Sequence, residues 1–309
     1  MRRFAVMLGA LALSGSAAGV PSGWQRGRDA PQARTEVTSV AVGGRIVVAG
    51  GFTGDGRATA RVDVYDPGTD RWSRLPDLPT TLHHAMSATD GRRAYIVGGY
   101  RARGALTHAT RRVFALRPGE PRWRELAPMP VSRAAGGAAV LAGRLYVVGG
   151  TFGVSPRLAR RSFVLDLGTG RWRAFPGLPR PREHLGAAGL GDRIYVLGGR
   201  TSAERFKRAD AWDVRMRRWV LLPDMPTARG GTAATARDGT VVSIGGESSA
   251  GTNREVESFD PRAGGWRRLQ PLPEGRHGLG VAAVGHRLFA LLGGPRPGLS
   301  VSATTFALP

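Results

Sequence analysis

Leu145-Tyr146-Val147-Val148-Gly149-Gly150, with Arg171-Trp172 following it, is a short apolar run closed by two glycines and then answered by a tryptophan. The pairing recurs along the chain. Glycine pairs stand at Gly50-Gly51, Gly98-Gly99, Gly149-Gly150, Gly198-Gly199, Gly245-Gly246 and Gly293-Gly294, in steps of 47 to 51 residues. A tryptophan precedes each pair: Trp24, Trp72, Trp123, Trp172, Trp219 and Trp266. Five of these lie 26 residues before the first glycine, and Trp266 lies 27 before it. A period near 50 residues, built of short strands, indicates a β-propeller with one blade per repeat.

The tryptophan serves as a ruler. Seven residues after it stands a proline: Pro31, Pro79, Pro130, Pro179, Pro226 or Pro273. Ten residues after it stands Arg34, Arg133, Arg182, Arg229 or Arg276, with Leu82 as the exception. A Gly/Ala-rich run follows, then a turn such as Asp90-Gly91, then the run ending in Gly-Gly. A variable loop leads to another strand, such as Val62-Asp63-Val64-Tyr65, and to its turn Asp66-Pro67-Gly68. Each repeat therefore holds four strands bounded by turn chemistry. The Gly/Ala-rich strand belongs nearest the axis, where six blades converge and only small side chains fit. The tryptophan strand belongs outermost. The chain ends on a third-type strand, Val301–Leu308, with no tryptophan after it. The segment carrying Trp24 and Pro31 should therefore complete the sixth blade and remove the last unpaired edge.

These residues resemble kelch repeats: a double glycine, a Tyr or Phe before an Asp turn, then Trp and a Pro-containing turn. The resemblance covers nearly all of the chain after the first residues. It implies an all-β, six-bladed propeller with four antiparallel strands per blade. One repeat departs from it, with Arg117 where others have Asp66, Asp166, Asp213 and Asp260.

Composition narrows the function. The 309 residues contain no cysteine, which removes disulfides, thiol catalysis and thiolate metal sites. The oxidase branch of kelch-like propellers needs a cysteine-modified tyrosine and copper, and is excluded for the same reason. The formal charge is +22, nearly all arginine, with Lys207 the only lysine. That charge favours acidic partners. Arg2-Arg3, the apolar stretch Phe4 to Leu13 and the small residues Ser16-Ala17-Ala18 read as a signal peptide over residues 1–18. Residues 19–309 then form one propeller, exported to the periplasm or beyond, with no membrane span after cleavage. Export disfavours any specific nucleic-acid partner.

Because strands alternate in direction, the start of the inner strand and the end of the Gly-Gly strand share one face. Arg34, Arg133, Arg182, Arg229 and Arg276 would form an incomplete ring there, and arginine grips carboxylate, sulfate or phosphate with a planar fork. The competing reading makes each arginine a strut that hydrogen-bonds to neighbouring carbonyls. Two residues further on, with the same side-chain direction, stand Glu36, His84 and His184. The loops after Gly-Gly add Phe52, Tyr100, Arg101, Arg103, Arg200, Arg205, Lys207 and Glu247. The expected ligand-binding set is the five arginines with Tyr100, Arg200, His84, His184 and Glu247. A second set flanking the tryptophans, Arg71, Arg122, Arg171, Arg218 and Arg267, reads as charged edge protection. The six histidines form no HxH, HExxH or similar motif, so neither metal nor cofactor is expected.

The leading expectation is a non-enzymatic binding module for an acidic peptide or anionic glycan. The alternative is enzymatic. Gly245-Gly246-Glu247 with Arg254 looks similar to sialic acid mutarotases, exported kelch propellers in which a Glu after a double glycine and a nearby Arg act on the sugar.

Overall fold

The computed structural model of the chain describes residues 23–101, 106–154 and 157–309. The expected signal peptide, residues 1–18, and Arg103 lie outside the described residues. Six four-stranded antiparallel sheets are arranged as blades around an axis. In the first blade the strands run outward from the axis as Thr38–Val42, Arg45–Ala49, Val62–Asp66 and Arg71–Arg74. The inner strands of the six blades are Thr38–Val42, Met86–Thr89, Gly137–Leu141, Gly186–Leu190, Ala233–Arg237 and Gly280–Val284. Together they line a central channel with a volume of about 350 Å³. Their small residues follow from crowding. A Cβ on Gly186, for instance, would meet the Ala234 side chain of the next blade.

The ring closes through the N-terminal strand. Gln25–Gly27 pairs antiparallel with Thr305–Leu308, matching Gln25 to Ala307 and Gly27 to Thr305. The sixth blade is thus made from both ends of the described chain.

Two repeated hydrogen bonds tie each blade to its neighbour. Each tryptophan indole N–H donates to a carbonyl on the preceding blade's outer segment, four residues past that blade's own tryptophan. The six acceptors are Gln270, Arg28, Pro76, Ala127, Pro176 and Pro223, at 2.8–3.0 Å. The bond from Trp24 to Gln270 belongs to the ring closure. Five of the six indoles are only half-buried, and Trp123 alone is fully buried.

The second link explains the double glycine. The second glycine donates its N–H to the carbonyl of the Trp+10 residue on the next blade, as in Gly99 to Arg133 and Gly150 to Arg182 at 2.8 and 2.9 Å. Both glycines of a pair have positive φ, 61° and 98° at Gly98-Gly99. A Cβ on Gly98 would land on the Arg133 carbonyl oxygen. Close approach and left-handed backbone together require glycine here.

The sixth repeat resolves differently from its sequence. Leu292 and Gly293 occupy the paired position, with φ of 57° and 88°. Leu292 N–H donates to Thr304, and Gly293 N–H donates to Arg34. The 27-residue interval from Trp266 to Gly293 is therefore no insertion. The register holds, and Leu292 stands where the other blades have their first glycine.

Candidate functional site

The five Trp+10 arginines do not line an accessible funnel. Arg34, Arg182, Arg229 and Arg276 are 0% exposed and Arg133 is 2% exposed. Each donates to the carbonyl of the first residue of its own blade's pair: Gly50, Gly149, Gly198, Gly245 or Leu292, at 2.6–3.1 Å. A second fork of donors reaches toward the third strand. Arg34 donates to the Arg61 carbonyl, Arg133 to that of Arg161, and Arg229 to that of Glu255. These arginines are struts, and the anion ring expected at Arg34, Arg133, Arg182, Arg229 and Arg276 is corrected accordingly. The physical reason is the empty space between strands. It is walled by strand-end carbonyls, some of which, such as Arg61 and Glu255, also accept a backbone N–H, and a guanidinium carries enough donors to serve several at once.

The third strand supplies the counterpart of each strut. Nine residues before the tryptophan stand Asp63, Asp210 and Glu257, which pair with Arg34, Arg182 and Arg229 at 2.6, 2.9 and 2.5 Å. All three carboxylates are fully buried. In the third blade that position is Phe163, whose ring lies 5.5 Å from the Arg133 guanidinium carbon. In the sixth, Phe306 lies 4.8 Å from that of Arg276, which also reaches Glu274 at 3.0 Å. In the second, Leu82 and Phe114 are both buried in one apolar cluster. Burial lowers the pKa of Arg133 to about 10, which still leaves it charged at neutral pH.

What the channel mouth presents lies two residues further on. Glu36, His84, Ala135, His184, Gly231 and Gly278 occupy one register, all with φ between 51° and 64°. Their backbones form a closed hydrogen-bonded ring. His84 N–H donates to Glu36, Ala135 to His84, His184 to Ala135, Gly231 to His184 and Gly278 to Gly231, and Val37 N–H returns to Gly278. The side chains of Glu36, His84 and His184 are thereby gathered on the axis, with one donor atom from each within 4.8 Å of the others. The two imidazole centroids are 4.7 Å apart.

A polar network surrounds them. Glu36 contacts His84 Nε2 and His277 Nδ1, each at 3.1 Å. His84 Nδ1 lies 2.7 Å from His83 Nδ1, so one of the two donates. His184 Nδ1 faces a Glu183 oxygen at 2.6 Å. Arg200 donates to Glu183 at 3.0 Å, lies 3.2 Å from His184 Nε2 and pairs closely with Glu247. Burial would raise the Glu36 carboxyl, but His84 and His277 override it and hold the group far below the usual carboxylate range. Burial pushes His84 well below the usual imidazole value, more than Glu36 can restore. Burial alone would lower His277, but its bond to Glu36 together with the charges of Glu36 and Glu247 moves it up. Glu183 is held at about 2; burial opposes this, and His184 and Arg200 prevail. The mouth is thus a histidine–carboxylate cluster with one arginine.

The other site residues fall into place around it. Tyr100 is fully buried, its hydroxyl bonded to Thr151 and its ring 5.3 Å from that of His83. Phe52 stacks on His83 at 3.9 Å. Glu247 reaches the mouth, but its partner is Arg200, while Arg254 donates to the Leu272 carbonyl at 2.6 Å. Glu247 and Arg254, the two residues of the mutarotase alternative, are thus held by different partners. The arginines flanking the tryptophans, Arg71, Arg122, Arg171, Arg218 and Arg267, are exposed on the outer strands or, for Arg122 and Arg171, just before them.

On the same face, the loops after the paired position carry exposed Arg101, Arg157, Arg160, Arg205 and Arg296. Among the described residues no carboxylate pairs with these five, whereas the nearby Arg180 is held by Glu204 at 2.7 Å. The face has a histidine–carboxylate centre and a basic rim.

A family model described as the KLHDC2/KLHL20/DRC7 Kelch-repeats domain matches residues 83–294, and a Kelch motif matches residues 33–79. The chain is similar to Kelch-like protein 34 of Homo sapiens, 35% identical over 123 residues, which is 39% of this chain and 19% of the relative. Beta-scruin of Limulus polyphemus is 27% identical over 133 residues, 41% of this chain and 14% of the relative. Kelch repeat protein M-T8 of Myxoma virus (strain Lausanne) is 29% identical over 127 residues, 41% of this chain and 24% of the relative. The matched stretches therefore span under two thirds of these relatives' lengths.

Proposed function

This chain belongs to the kelch-repeat family, and from that premise we propose that it is an exported binding module whose loop face holds an acidic protein segment or anionic glycan. The observation that carries the reading is the unpaired basic rim: Arg101, Arg157, Arg160 and Arg205 stand exposed around the mouth with their forks free of carboxylates among the described residues. The buried arginines are spent on carbonyls, so the rim is what an anion meets. A single exposed ion pair contributes only ~0–1 kcal/mol, so recognition requires several such contacts at once. The formal charge of +22 adds attraction at long range.

An array of acidic peptides and anionic glycans, probed at physiological salt, tests the proposal. It expects a reproducible ranking among ligands of equal charge and weaker binding by the variant with Arg101, Arg157, Arg160 and Arg205 all changed to Ala. Equal binding of neutral ligands would refute it. Binding that tracks charge alone and vanishes as salt rises would reduce the face to a nonspecific surface.

A further inference from the structure

We propose that Glu36, His84 and His184 form a binding site for one divalent first-row transition-metal ion of the zinc class at the channel mouth. Three donor atoms from three different blades come within 4.8 Å of one another on the axis. Two imidazoles and one carboxylate are a donor set suited to zinc and its neighbours. Calcium and magnesium prefer oxygen ligands alone.

Two further observations point to a ligand. First, each donor residue is oriented from behind. His184 Nδ1 is held by Glu183 at 2.6 Å, His84 Nδ1 by His83 at 2.7 Å, and Glu36 Oε1 by His277 at 3.1 Å. That leaves His184 Nε2, His84 Nε2 and Glu36 Oε2 for the centre. A carboxylate behind a ligating imidazole is the usual way a protein fixes the ring's tautomer and direction. Second, Glu36, His84 and His184 each hold φ at 51°. Side-chain-bearing residues adopt this conformation rarely, and two of the six ring positions are glycine. Of the four side-chain-bearing positions held in this conformation, three carry metal-ligating groups and the fourth is Ala135 at 53°.

Binding rearranges hydrogen bonds and forms no covalent product. The ion takes the place of the proton between Glu36 and His84 Nε2; His84 keeps one proton in its Nδ1–H tautomer and donates to His83 Nδ1, whose own proton then sits on Nε2. Arg200 leaves His184 Nε2, which it approaches to 3.2 Å, and keeps its contacts to Glu183 and Glu247. The three residues also line the channel of about 350 Å³, so a remaining coordination position can hold water or a carboxylate of a bound partner.

The test uses the tag-free full chain, stripped with chelator and titrated with zinc against a chromophoric competitor, then with cobalt followed by visible absorption. One ion per chain is expected. His84→Asn and His184→Asn should each weaken zinc by more than the ~10–100-fold typical of an outer contact, and Glu183→Gln should fall within that range. Arg200→Gln should strengthen it, because a competing cation leaves. His286→Asn, at a side chain 90% exposed, should change nothing. Near-ultraviolet circular dichroism checks folding. Should a histidine variant not fold, X-ray absorption of the cobalt-loaded wild type decides, with two imidazole nitrogens expected. Absence of stoichiometric binding by the wild type, a first shell without two imidazoles, undiminished binding by the folded double histidine variant, or loss on changing His286 would each overturn the site.

Discussion

Replacing Arg34 by Leu separates a strut from a ligand-binding arginine. Arg34 is fully buried against Asp63, and its donors also serve the carbonyls of Gly50 and Arg61. Removing one partner of a buried ion pair leaves an uncompensated charge and costs roughly 3–5 kcal/mol. Here Asp63 keeps Arg61, which is partly exposed and reaches it at 2.7 Å. The expected loss is therefore in the lower part of that range, about 3–4 kcal/mol. At ~2.1 cal/mol/K per residue, a propeller of roughly 290 residues unfolds with an entropy near 0.6 kcal/mol/K, so the melting temperature should fall by about 5–7 °C. The second blade shows how to restore the loss, because Leu82 faces Phe114 there without any charge. The double variant Arg34→Leu/Asp63→Phe should recover at least half of it. Thermal and urea unfolding, read by tryptophan fluorescence, measure both. A single variant as stable as wild type but unable to bind an anionic ligand would refute the strut reading. So would a double variant no better than the single.

Further outcomes follow from the same geometry. Gly98→Ala should abolish soluble folding, because its Cβ would meet the Arg133 carbonyl, whereas Gly143→Ala, with φ of 70° but open space around it, should cost only ~1–2 kcal/mol; comparing their melting curves checks this. Trp172→Phe removes the bond to Ala127 and part of the ring packed against the buried cluster around Leu145, and should cost about 1–3 kcal/mol, measured by urea denaturation. A chain lacking residues 19–28 loses the strand Gln25–Gly27 and the Trp24 bond to Gln270, and should not fold, with size-exclusion chromatography and circular dichroism as readouts. The turn carboxylates Asp90, Asp166 and Asp213 accept backbone N–H bonds and sit below the usual carboxylate range. Their contribution is present above the unfolded value near pH 4 and is lost as pH falls through the lower folded values. Changing all three to Asn should flatten stability against pH below about 4; an unchanged slope would count against it.

The architecture was legible because each landmark serves a backbone need. The tryptophans donate to the preceding blade, and the glycines make room for the next blade's carbonyl, so their spacing counts blades directly. The same ruler located the segment carrying Trp24 in the last blade. It misplaced the arginines because register tells which turn a residue occupies and not where its side chain goes. The missing signal lay on the third strand, nine residues before five of the tryptophans and at Phe306 in the last blade. Asp63, Asp210 and Glu257 there are buried counter-charges, and Phe163 and Phe306 are rings for a guanidinium. Reading those positions beside the arginines would have pointed inward. The gathering of Glu36, His84 and His184 was hidden from local motif spacing, since the three lie on separate blades. Their shared position two residues after the strut was the trace that the fold turned into proximity.

One paired titration tests the account most directly. A labelled acidic peptide that binds the wild type is titrated into two variants at physiological salt. One carries Arg101, Arg157, Arg160 and Arg205 changed to Ala, and the other carries Arg133→Met. The account predicts that the rim variant loses binding at unchanged stability, while Arg133→Met, destabilised but folded at the assay temperature, binds as the wild type does. Loss of binding in folded Arg133→Met with full binding in the rim variant would contradict it.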